Sequence, residues 1–363
     1  MHDAVTSELI PEMLREYGEV TRAALKRYIP ERAPQRHLYD LLADYPQRGG
    51  KMMRPSLCIA TARAFGARLE DALRTAAAIE LLHNALLIHD DIEDESEERR
   101  GRPTLHMLHG VPLAINAGDT LTLMSLRPLM ENRTRIGPRL SLTILEETER
   151  MAVESAEGQA MELGWRQDNT NDLDESDYLL MVLKKTCWFG TIFPARVGAI
   201  IGTRGNAKLE PFIRFGFFLG CAFQIQDDLL NLVADTSYGK ELNGDILEGK
   251  RTLMLIRLFE RASADQRARL DAFLALPREQ RRPDEVAWVR ALMDQYECID
   301  YARRFAHGLA GAAQHEFDGI FANVPDSRDR QFIEGLVTWV FERTQASARA
   351  QPAADHATDH AAA

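Results

Sequence analysis

An all-α fold, one large domain of packed helices, is what this sequence predicts, and three observations carry the prediction. Apolar residues recur at helical spacing over ten long segments. Those segments are rich in Ala, Leu, Met, Glu and Arg, which favour helix. Period-two runs with β-branched enrichment and hairpin turns are missing. The predicted helices are 8–28, 55–64, 70–89, 112–131, 139–163, 175–202, 208–234, 251–260, 285–311 and 329–345. A length of 363 residues leans toward two domains. No Pro/Gly/Ser linker interrupts the helices, so residues 1–345 are expected to form one domain. Residues 346–363 (ASARAQPAADHATDHAAA) lack a core-forming face and are expected to be a disordered tail. His356 and His360 read as tail composition rather than as metal ligands.

Composition excludes several classes. The net charge of −11 argues against nucleic-acid binding through basic residues. Four Cys at 58, 187, 221 and 298 show no metal-ligand spacing, which fits a reducing, cytoplasmic compartment. The N-terminus lacks a signal-peptide core, and no run of 18 apolar residues spans a membrane.

The chemistry lies in polar islands on this apolar frame. Gly49-Gly50-Lys51-Met52-Met53-Arg54-Pro55 puts two cations at a predicted helix start, the geometry of an anion site. Residues 75–89 are apolar on nearly every face, as in a buried helix. His83 lies on that helix, two turns before Asp90. The helix runs into DDIEDESEE, with seven acidic residues in nine positions. Carboxylates at a helix C-terminus oppose the macrodipole, so they need compensation. Asp90 and Asp94 project from one face if the helix continues, a pair suited to Mg²⁺. Asp91 lies about 100° around and is the weaker ligand. Arg99-Arg100-Gly101 follow, matched to diphosphate oxygens.

Later islands repeat the design. Glu157-Gly158-Gln159 interrupts a long helix, and Lys185-Thr186 sits mid-helix between apolar stretches. Residues 215–234 carry Gln224, Asp227 and Asp228, with no basic partner nearby on the helix, which implies a cation. Asn231 occupies the place of a second carboxylate. Residues 235–251, with three Gly, read as a loop over a site, and carry Lys240 and Lys250.

Together these islands resemble the trans-isoprenyl diphosphate synthase family. Asp90, Asp91 and Asp94 match its DDxxD motif, followed by Arg99-Arg100-Gly101. Lys51 and Arg54 match GGKxxRP. Gly158-Gln159 matches GQ, Lys185-Thr186 matches KT, and Phe223, Gln224, Asp227 and Asp228 match FQxxDD. The stretches around 75–101 and 238–250 most resemble geranylgeranyl diphosphate synthases. Two departures stand out: Asn231 closes the second motif, and the family's basic C-terminal tail has no clear match.

The resemblance implies a homodimeric isoprenoid-synthase helical bundle around an apolar cavity. It implies head-to-tail condensation of isopentenyl diphosphate with dimethylallyl, geranyl or farnesyl diphosphate. Asp90, Asp94 and Asp227 would hold Mg²⁺. Lys185, Lys240, Lys250 and Arg99 would contact the leaving diphosphate. Lys51, Arg54, His83 and Arg100 would hold isopentenyl diphosphate. Thr186 and Gln224 would stabilise the allylic cation, and the departing diphosphate would take the proton. Small Ala85, five residues before Asp90, with Leu86 beside it, would leave the pocket deep enough for a geranylgeranyl product. Longer polyprenyl or farnesyl products are the alternative. A terpene cyclase has no use for a second diphosphate site. A silent partner subunit would be expected to lose its Asp motifs.

Overall fold

The apolar stretch 75–89 is the middle of a 25-residue helix, and that helix organises the fold. The structure is a computed structural model. It describes the backbone of residues 2–233 and 243–349 and the side chains of 8–232 and 243–341. In chain order the helices are α1 (His2–Leu25), α2 (Asp40–Gln47), α3 (Met53–Ala64) and α4 (Leu69–Glu93). A hairpin of β1 (Glu98–Arg99) and β2 (Arg102–Pro103) follows, then α5 (Leu105–His109), α6 (Val111–Glu131) and α7 (Pro138–Gln167). Next come α8 (Glu175–Val182), a π-helical segment Leu183–Ile192, α9 (Phe193–Gly202) and α10 (Glu210–Val233). The chain continues through α11 (Gly244–Glu248), α12 (Leu253–Arg261), α13 (Ala264–Leu274), α14 (Pro283–Gln295), α15 (Cys298–Ile320) and α16 (Arg328–Arg349).

The all-α expectation holds. Helix α4 packs on α6 and α3, α10 packs on α15 and the π segment, and α3 packs on α9. Because α4 is apolar all round, it feeds two clusters. Ala76, Ile79 and Leu82 join the large core, while Ala77, Leu81, Ala85 and Ile88 join a smaller one with α2 and α6. Each fully buried Leu, Ile or Phe stabilises the fold by about 1.5–3 kcal/mol. One buried ion pair ties α7 to α9. Arg196, 2% exposed, donates through Nε and Nη2 to Glu147 at 2.6 and 2.7 Å.

Several expectations need correction. The hairpin was hidden because its strands are two residues long and charged. The segment 175–202 is helical throughout but widens over 183–192, and no sequence period marks that change in hydrogen bonding. The segment 285–311 is two helices, broken where Glu297 turns left-handed at φ +56. Helices α2 and α13 were not foreseen. The expected break at 157–159 is no break, since α7 runs unbroken from Pro138 to Gln167. A Cβ on Gly158 would lie 2.1 Å from the Lys185 backbone nitrogen, so glycine is what lets α7 touch the π segment. The expected loop 235–251 contains α11, and its residues 235–242, Lys240 among them, lie outside the described residues. Helix α16 extends to Arg349, past the expected boundary at 345. The rest of the expected tail, 350–363, also lies outside them.

Candidate active site

A cavity of about 720 Å³ opens between α3, α4, α7, the π segment and α10. Its lining collects residues from every polar island: Lys51, Arg54, His83, Asp90, Arg99, Arg100, Gln159, Lys185, Thr186, Gln224, Asp227 and Lys250. Leu82, Leu86, Leu87, Met151 and Phe189 supply the apolar wall.

One end is cationic. Arg54 Nη1 lies 3.4 Å from His83 Nε2. A guanidinium only donates, so Nε2 accepts and the ring proton sits on Nδ1. Burial, reinforced by Arg54 and Arg100, pushes His83 well below its ordinary range, so the ring is neutral near pH 7. Arg54 Nε is buried without a hydrogen-bond partner, a donor that suits an anionic oxygen. Burial lowers both Arg54 and Arg100 from the usual guanidinium range, against the opposing pull of Glu80. The Lys51 ammonium lies 5.8 Å from the centre of the Trp339 ring, a cation–π contact.

The other end is ionic and balanced. Lys185 Nζ pairs with Glu162 and stands 3.6 Å from Asp90 Oδ1. Arg99 Nη2 lies 3.5 Å from Asp90 Oδ2, while Arg99 Nε binds both oxygens of Asp91 at 2.7 and 2.8 Å. Burial alone would lower the Arg99 guanidinium, but the hydrogen bond and charge of Asp91 outweigh it and raise it. Lys250 Nζ sits 2.8 Å from Asp94 and 2.7 Å from Glu248. Burial works against the Lys250 charge, and the carboxylates around it win.

A relay of hydrogen bonds joins the π segment to α10. Thr186 Oγ1 donates to Gln224 Oε1 at 2.9 Å, and Gln224 Nε2 donates to Asp228 Oδ1 at 2.7 Å. Tyr178 Oη donates to Asp228 Oδ2 at 2.9 Å. Burial, with Asp245 adding to it, pushes the Asp228 carboxyl up to about 7.

Two expectations change here. Asp94 is absent from the lining residues. Asp94 is the C-cap of α4, one turn past Asp90, with its backbone N–H on the Asp90 carbonyl at 2.8 Å, and its side chain is taken up by ion pairs. It is 2% exposed and held by Arg166 at 2.6 Å and by Lys250. Ala85 also misses the cavity. It is fully buried in the cluster with Ala114, Ala117 and Leu121 of α6, while Leu86 faces the cavity. Asn231 has a structural task, accepting the Asp245 backbone N–H at 3.0 Å. The sequence reading missed Tyr178 and Glu162. Tyr178 stands seven residues before Lys185 on the same helical run, the one signal that pointed to it.

Among the described residues, no group of three or more His, Cys, Asp or Glu surrounds a common point. The donor chemistry nevertheless fits a hard divalent cation. Asp90 and Asp227 offer carboxylate oxygens from two walls of one cavity.

Comparison with known proteins agrees with this geometry. The profile of the polyprenyl synthetase family matches residues 35–293. A short chain isoprenyl diphosphate synthase of Methanothermobacter thermautotrophicus is 32% identical over 335 residues, 92% of this chain and 98% of that one. A geranylgeranyl pyrophosphate synthase of Geoglobus acetivorans is 31% identical, over 92% and 99% of the two chains. The crystal structure of geranylgeranyl pyrophosphate synthetase from Pyrococcus horikoshii superposes with a TM-score of 0.81. It is 32% identical, over 93% of this chain and 99% of that one.

Proposed function

The chain belongs to the polyprenyl synthetase family, and on that premise we propose that it condenses isopentenyl diphosphate head to tail with an allylic diphosphate, giving geranylgeranyl diphosphate. One observation carries the reading: a single cavity gathers Lys51, Arg54 and Arg100 at one end and Asp90 and Asp227 at the other, with an apolar wall of Leu82, Leu86 and Phe189. Two diphosphates and a hydrocarbon need those three surfaces.

Each residue then has a task. Lys51, Arg54, Arg100 and neutral His83 hold the diphosphate that must stay intact. Arg99, Lys185 and Lys250 bind the diphosphate that leaves, and Lys240 is assigned the same task by its motif. Mg²⁺, held by Asp90 and Asp227 with Asp94 as the further candidate ligand, would neutralise charge on the leaving group. Thr186 Oγ1 and Gln224 Oε1 present lone pairs toward the allylic carbon as it becomes cationic. Leu82, Leu86 and Phe189 exclude water from that cation. The released diphosphate accepts the proton.

Self-association belongs to the same reading. α6 and α7 leave Ile115, Leu123, Met130 and Leu142 exposed, at 42%, 69%, 59% and 57%, which supports a homodimer through these helices. The four cysteines are buried, with Cys187 and Cys221 sulfurs 3.6 Å apart, and a reducing, cytoplasmic setting is part of the proposal. Among the described residues no helix is long and apolar enough to cross a membrane.

The test is direct. Purified protein, Mg²⁺ and isopentenyl diphosphate are incubated separately with dimethylallyl, geranyl and farnesyl diphosphates, and product alcohols are identified by mass. Geranylgeraniol is expected. Longer alcohols would overturn the product assignment, and a cyclic hydrocarbon formed without isopentenyl diphosphate would overturn the reaction. No product from any starter would leave a partner subunit.

A further inference from the structure

The hairpin that carries Arg99 and Arg100 is held by a residue that none of the motifs includes. Arg99 pairs opposite Arg102, so the turn is Arg100–Gly101. Both residues are left-handed, at φ +55 and +70, as a tight type I′ turn requires. Glycine takes that conformation freely and arginine does not. Something must hold Arg100 there.

Arg48, at the end of α2, braces the residues on either side of that turn. Its side chain is 1% exposed and absent from the cavity lining. It donates to the carbonyl oxygens of Arg99 at 3.1 Å, Arg102 at 3.2 Å and Pro103 at 2.8 Å. It also pairs with Asp44, and its guanidinium lies 4.6 Å from the Tyr45 ring centre. Asp44 in turn receives Arg102 at 3.1 Å. A planar fork of five donors suits this cage, and a lysine ammonium does not.

Arg100 reaches back to the same segment. Its Nη1 donates to the Gly49 and Tyr45 carbonyls. Its guanidinium lies against Gly50, where a Cβ would stand 2.8 Å from Nη2. Arg99 has a different anchor, the carboxylate of Asp91. The two guanidinium groups therefore have different anchors, Arg99's on α4 and Arg100's on the turn that leads into Lys51 and Arg54, while Arg48 holds the backbone on both sides of Arg100. Arg54 and Arg100 repel one another, and Glu80 offsets that repulsion by attracting both, without a hydrogen bond that fixes the direction of either.

We propose that Arg48 is a positioning residue for the subsite that binds the retained diphosphate, clamping the hairpin so that Arg100 and Arg54 are set before substrate arrives. The proposal rests on the condensation reading above. It separates the two substrates, because the Arg99 guanidinium keeps its own anchor in Asp91, whereas Arg100 depends on the turn that Arg48 closes through the Arg99, Arg102 and Pro103 carbonyls.

The experiment uses the full chain with Arg48→Ala and Arg48→Lys. Calorimetry measures binding of isopentenyl diphosphate alone, and steady-state assays give KM for each substrate. In Arg48→Ala, Kd and KM for isopentenyl diphosphate rise about tenfold, while KM for the allylic diphosphate and kcat stay within about twofold. Millimolar guanidinium ion restores binding in this variant and leaves the wild type unchanged, which a general loss of stability would not allow. Should Arg48→Ala melt early, Arg48→Lys retains the Asp44 pair and shows the same split, smaller. An unchanged Kd, or equal rises for both substrates, overturns the proposal while wild-type condensation stands. A wild type that neither binds nor condenses isopentenyl diphosphate overturns the condensation reading and the proposal with it.

Discussion

The two Asp-Asp pairs look alike in the sequence and are treated differently by the fold. On α4, Asp90 faces the cavity, and Asp91, 1% exposed, is buried against the Arg99 guanidinium and the Tyr45 hydroxyl. On α10, Asp227 and Asp228 both line the cavity, and among the described residues Asp228, 6% exposed, receives hydrogen bonds from the neutral donors of Tyr178 and Gln224. Successive residues on a helix point about 100° apart, so the second carboxylate of each pair is the more deeply buried: Asp91 leaves the cavity altogether, and Asp228 stays at its wall. The more buried one then takes its character from its partner. A cation makes a charged clamp at Asp91, whereas neutral donors leave the Asp228 carboxyl pushed up to about 7 by burial.

The largest expected effect breaks the less buried half of this comparison. Asp90→Ala removes the carboxylate that Lys185 and Arg99 both approach, and turnover should fall by about 10²–10³-fold even at saturating Mg²⁺. Product formation from geranyl diphosphate, read by mass, checks this, and near-normal turnover would remove Asp90 from the site.

The more buried half is tested by stability. Asp91→Asn leaves buried Arg99 with only the longer contact to Asp90 among its described carboxylates and should cost about 3 kcal/mol. Asp228→Asn keeps an acceptor for Tyr178 and should cost about 1 kcal/mol. Denaturant unfolding of both variants measures the difference. Equal costs would mean that the two more buried carboxylates are equivalent after all.

Glu80, ten residues before Asp90 on α4, sharpens the point away from the proposed metal. Burial pushes its carboxyl up to about 6 from an ordinary 4.5, against the pull of Arg54 and a hydrogen bond from Asn84. A raised carboxyl favours the protonated folded state. Its contribution to stability is full below pH 4.5 and is lost as pH rises through about 6. The loss is about 2 kcal/mol, and Glu80→Gln should flatten that slope in melts taken across this range.

The smallest effect concerns product length and contrasts two neighbours on α4. Leu86 lines the cavity, so Leu86→Phe should shorten the product by one isoprene unit with little loss of turnover. Ala85→Phe meets α6 instead and should lower the melting temperature without changing chain length. Mass analysis of the alcohols, together with a melt, distinguishes the two.

Much of the molecule was legible beforehand. Helical period and composition gave the fold class, and the island residues Lys51, Arg54, His83, Asp90, Lys185, Thr186, Gln224 and Asp227 all reach one cavity. Local order was enough because apolar helices bury themselves, and a charge on such a helix stands out wherever it lies. Direction was not legible. Whether Asp94 joins Asp90, whether Ala85 meets the cavity, and which arginine is anchored to which element depend on where α4 stops, on a two-residue turn and on contacts between distant segments. The sequence by itself determined which residues carry the charge and that helices bury the rest. Only the tertiary structure decided which way each charge points and what balances it, because a side chain's direction follows from helix ends and its partner is brought from elsewhere in the chain.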